Sequence, residues 1–77
     1  MQVSEAKTLF DAGVLVRAVV VRAPMEAGWN LELYRKGAKT CEPIERQRGG
    51  YRVYTTIDAA VSTAEAIGFR EIAINLL

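Results

Sequence analysis

Apolar residues recur along this chain with two periods, and each stretch predicts its own element. Residues 4–12 read as a short helix: Ser4 is placed to cap it, Glu5 suits its first turn, and Gly13 suits a left-handed end. Leu9 is spaced to share a narrow apolar side with Val3 or Phe10. Residues 14–22, VLVRAVVVR, form the clearest strand, rich in β-branched side chains and free of helix breakers. Alternation puts Val16, Ala18 and Val20 on one face and Leu15, Arg17, Val19 and Val21 on the other. Neither face is strongly polar, which predicts a central strand or one paired across an interface.

Residues 23–28, APMEAG, make a connection punctuated by Pro24 and Gly28. Residues 29–36 then alternate cleanly, with Trp29, Leu31 and Leu33 on one side and Asn30, Glu32, Tyr34 and Lys36 on the other. That is the pattern of a half-buried antiparallel strand. After a tight turn at residues 36–39, residues 40–47 read as a third strand, in which Pro43 marks an edge or a bulge. Gly49 and Gly50 break the chain, and residues 51–54 read as extended. Thr55 and Thr56 are both placed to cap a second helix, Thr55 with the capping-box spacing to Asp58. Ile57, Ala60, Val61, Ala64 and Ile67 share one side of that helix, Ser62, Thr63 and Glu65 lie opposite, and Gly68 ends it. Residues 69–76 read as a last strand with Ile72, Ile74 and Leu76 alternating. The expected fold is therefore α+β: an antiparallel sheet of four to five strands, one main helix packed on one face, and a short N-terminal helix.

Length and composition narrow the picture further. Seventy-seven residues make a single domain, 1–77, of a size that buries only about 60–65% of its unfolded surface. One cysteine, Cys41, excludes an internal disulfide, and without any histidine a zinc site cannot be assembled around it. No metal or other cofactor is expected. A 51% apolar chain this small has more apolar surface than its interior easily hides, so a homodimer is expected. No run of about twenty apolar residues is present to span a bilayer, and the opening MQVSEAKTLFDAG does not read as a signal peptide. With one unpaired thiol, the expected compartment is the cytoplasm.

Catalytic parts are scarce. Without histidine there is no common general base near neutral pH and no Ser-His or Cys-His pair. Cys41 reads as a small buried or half-buried residue, the acids are scattered, and no nucleotide-binding fingerprint occurs. The chain is expected not to be an enzyme. Net charge is only +1, so the molecule as a whole does not attract nucleic acid.

One dense constellation stands out: Arg46, Arg48, Gly49, Gly50, Tyr51, Arg52 and Tyr54 within nine residues. Arginines neutralise phosphates, tyrosines stack on bases, and glycines let backbone approach closely. The same residues also read as a plain hairpin with Gly-Gly at its tip, tyrosines on the sheet and arginines in solvent. Trp29 reads either as an anchor in a core or interface or as a stacking platform, and Arg35 could join it.

Residues 47–74, QRGGYRVYTTIDAAVSTAEAIGFREIAI, resemble a group of small partition-associated, ParC-like proteins of proteobacterial plasmids and integrative elements. The resemblance rests on Gly28-Trp29, on Gln47-Arg48-Gly49-Gly50 with Arg52 and Tyr54, and on Thr56-Ile57-Asp58-Ala59-Ala60 opening a helix that ends at Gly68. It implies an accessory protein of a mobile element, with DNA or a partition protein as partner, and carries over no catalytic residue. The expected function is a non-catalytic adaptor contacting its partner through Arg46, Arg48, Tyr51, Arg52 and Tyr54, with Trp29 and Arg35 beside them. The competing expectation is a protein-interaction module that adds a strand at the edge marked by Pro43.

Overall fold

In the computed structural model, which describes residues 1–76, the elements run α1 (Val3–Asp11), β1 (Leu15–Arg22), β2 (Trp29–Arg35), β3 (Cys41–Pro43), α2 (Ile57–Ile67) and β4 (Ala73–Asn75). They build one four-stranded sheet in the order β3-β2-β1-β4. β2 runs antiparallel to β1 and to β3, whereas β4 runs parallel to β1. The fold is α+β, and its sheet is mixed rather than wholly antiparallel. The reason is the return path: α2 carries the chain from the β3 edge to the opposite edge, so β4 enters in the direction of β1.

β1 is central, as its two apolar faces require. A register shift between Leu15 and Arg17 interrupts the alternation that the sequence suggests. This irregularity turns Leu15 onto the core face with Ala18 and Val20 and leaves Val16 57% exposed, reversing the expected places of Leu15 and Val16. In β2 Leu31 and Leu33 are fully buried and Trp29 packs against the same core, as the alternation requires, but Asn30 on the other side is also buried, its side chain donating to the Arg52 carbonyl. Ile44, just past β3, completes this layer.

Both helices cover that face. Ala60 and Ala64 of α2 and Ala6 of α1 have no exposed surface, because side chains this small let the helices close onto the sheet and each other. Thr56 caps α2, its hydroxyl accepting from the Ala59 amide at 3.1 Å, so Thr55 is not the cap. In α1 the cap position falls on Gln2, without a side-chain cap bond, and Ser4 lies inside the helix. α1 ends as expected at Gly13: the Val14 amide donates to the Leu9 carbonyl and the Gly13 amide to the Phe10 carbonyl.

The two edges of the sheet differ. Pro43 stands on the outer strand β3, where a missing backbone donor is tolerated. The third strand is shorter than expected because the chain beyond Pro43 is held by Met1: its amino group donates to the Pro43 carbonyl at 3.1 Å, and the Glu45 amide donates to the Met1 carbonyl at 2.9 Å. At the other edge β4 is also shorter than expected, because Phe69 packs into the core edge-on to Phe10 and the strand starts only at Ala73. Ile74 and Leu76 are 47% and 59% exposed there.

Candidate nucleic-acid interface

The Arg-Tyr segment folds as a hairpin hung from the start of β2. The Arg46 amide donates to the Gly50 carbonyl at 2.9 Å, and the Gly49 amide to the Arg46 carbonyl at 3.1 Å. Gly49 and Gly50 have φ of 92° and 76°, values that side chains oppose, which is why the tip is Gly-Gly. Residues 51–54 do not form a strand of their own. They make two isolated bridges, Tyr51 with Glu45 and Tyr54 with Trp29, because the turn folds the segment back on residues 44–46. Four further bonds fix the hairpin. Trp29 and Tyr54 exchange backbone bonds of 2.9 and 2.8 Å, the Asn30 side chain donates to the Arg52 carbonyl at 3.0 Å, and Gln2 donates to the Arg46 carbonyl at 2.8 Å.

This geometry distributes the expected contact residues over two sides. Arg46 and Arg52 line a groove of about 480 Å³ with Glu45, Gln47, Val3 and, from α2, Thr63 and Ala66. Tyr51, 55% exposed, lies by a separate hollow with Pro24, Met25, Asn30 and Val53. Arg48 is exposed at the tip between them. Among the described residues none of these three arginines has an ion-pair partner, whereas Glu45 is paired with the Met1 amino group at 2.8 Å. The Arg52 guanidinium sits over the Tyr54 ring, 4.7 Å from its centroid.

The other residues expected at the contact are not assembled here. Tyr54 is 4% exposed, a core residue rather than a platform. Trp29 packs against the core with the Arg22 guanidinium 4.9 Å from its ring centroid, so it serves as the anchor of its two readings. Arg35 is bonded to Glu42, which raises the Arg35 pKa and holds the Glu42 carboxyl below the usual carboxylate range. Its charge is already matched. Sequence reasoning missed Thr63 and Ala66, which reach the groove only through tertiary packing; their three-residue spacing on α2 was the available signal.

On the face away from the helices, Cys41 lies beside Tyr34 and Glu32, with Arg17 over the Tyr34 ring. Burial, then the negative charge of Glu32, pushes the thiol pKa up. Such a thiol is a poor nucleophile near neutral pH. Among the described residues there is no cluster of three or more histidine, cysteine or acidic groups suited to a metal, and no helix long and apolar enough to cross a membrane. Compared with known proteins, the chain matches no family model, no curated protein and no solved structure.

Proposed function

We propose that this chain is a non-catalytic nucleic-acid-binding adaptor whose contact is the arginine hairpin. The observation that carries the reading is the set of three exposed arginines, Arg46, Arg48 and Arg52, on one hairpin and without carboxylate partners among the described residues. Such groups gain most by meeting phosphates, which release counterions as they are neutralised. The plasmid or integrative-element setting rests on the resemblance of residues 47–74 to partition-associated proteins. A cytoplasmic setting, in which the Cys41 thiol stays reduced, belongs to the same proposal.

The test is a titration of labelled DNA at low and then rising salt. Affinity should fall with salt and fall again in the Arg48→Ala, Arg52→Ala double variant. Affinity that ignores both overturns the reading.

A second reading, self-association without nucleic acid, is favoured by exposed Ile74 on the outer strand β4 and exposed Leu76 just past it. Pairing β4 with its copy would extend the sheet and make the homodimer weak, since so short a strand buries little area. The Pro43 edge is the poorer candidate for strand addition, because Met1 already bonds to it. Light scattering separates the readings: a dimer whose mass does not change with DNA favours the second.

A further inference from the structure

Resting on that reading, we infer that the hairpin takes a single strand of nucleic acid, with one phosphate seated in the groove between the hairpin and α2. The exposed contact residues do not lie on one surface. Arg46 and Arg52 line the groove, Arg48 is exposed at the tip, and Tyr51 lines a separate hollow with Val53. A ligand touching all four must bend around the hairpin. A single strand does so freely, whereas a duplex is stiff over about 150 base pairs and stays nearly straight over this distance.

The groove itself suits a phosphate and its sugar. Its volume of about 480 Å³ lies within the range of small-ligand sites, roughly 300–1,000 Å³. The Arg52 guanidinium rests on the Tyr54 ring, and the exposed Arg46 guanidinium lies near Gly50, where a Cβ would come within 3.3 Å of its Nη2. Lining the same groove, they can offer N–H groups to one phosphate, with Arg52 already placed by the Tyr54 ring. The groove's carboxylate, Glu45, is already engaged by the Met1 amino group, so it opposes an anion less. Tyr51 at the separate hollow then offers a ring to a neighbouring base.

Fluorescence polarisation with a short labelled oligothymidylate and a duplex of equal length tests this. Ala66 is exposed on α2 and lines the groove, so Ala66→Phe narrows the groove and leaves every arginine in place. The oligothymidylate should bind at least tenfold more tightly than the duplex, and Ala66→Phe should remove about tenfold of that affinity. Arg48→Ala should reduce the salt slope by about 0.7, the contribution of one phosphate on a single strand. Salt-sensitive binding that falls in Arg48→Ala but ignores Ala66→Phe, or that prefers the duplex, overturns the groove and leaves the arginine hairpin standing. Absence of binding to both probes overturns the two together. Circular dichroism of Ala66→Phe, matched to the parent, excludes unfolding as the cause of any loss.

Discussion

Replacing Gly28 with alanine should unhook the hairpin from the sheet. Gly28 has a φ of 130°, and a Cβ built there lies 2.5 Å from Val53 Cγ1 and 2.7 Å from the Tyr54 carbonyl oxygen. The Val53 side chain can turn away. The Tyr54 carbonyl cannot, because it accepts the Trp29 amide at 2.9 Å and is the bridge that holds the hairpin to β2. The backbone strain costs about 1–3 kcal/mol, and losing one backbone bond adds about 0.5–1.5 kcal/mol. A loss of roughly 2–4 kcal/mol is a large share of the stability of a domain this size, about 4–12 kcal/mol at typical values per residue. It should lower the melting temperature by roughly 10–30 °C. Gly37→Ala is the matched control: Gly37 also has positive φ, 77°, but no atom lies within 4 Å of its Cβ position, so it should cost only about 1–2 kcal/mol. Thermal melts followed by circular dichroism give both numbers, and hydrogen exchange at the Trp29 and Tyr54 amides reads the bridge itself. Equal losses in the two variants, with the bridge amides still protected, would refute the argument.

Two further outcomes follow from single side chains. The Tyr54 hydroxyl is buried without a hydrogen-bond partner among the described residues, so Tyr54→Phe should raise stability by about 1 kcal/mol, a gain of about 4–8 °C, while keeping the ring under Arg52. A drop in melting temperature would mean that the hydroxyl is satisfied. For Cys41, whose thiol pKa burial and Glu32 raise, less thiolate is present near pH 8 than in a free cysteine, so iodoacetamide should react more slowly than with a cysteine peptide. Glu32→Gln should speed that reaction toward the peptide rate, and an unchanged rate would count against the role of Glu32.

Much of the architecture was legible because it is local. A threonine cap on α2, though not which of Thr55 and Thr56, the glycine at the end of α1, the buried row of Leu31 and Leu33 and the edge position of Pro43 each follow from a few neighbouring residues. What escaped depends on distant ones. The irregularity that exchanges Leu15 for Val16 is set by pairing with β2, and the parallel entry of β4 is set by the length and path of α2. The same division runs through the contact residues. Their clustering in sequence was plain, yet whether each lines the groove, the core or the separate hollow follows from the Tyr51 and Tyr54 bridges. Tyr54 is the clearest case: equal to Tyr51 in the sequence pattern, it is made a core residue by its bond to Trp29.

The unlike edges of the sheet also limit how copies of this chain can add to one another. A sheet with two receptive edges can grow without end, each added molecule presenting a fresh edge to the next. Here one end is occupied by the backbone of Met1 and by a proline. Growth by edge pairing therefore has one direction only, and the first pair formed through β4 consumes it. An association through exposed Ile74 and Leu76 would on this geometry stop at two molecules instead of running on into a fibre.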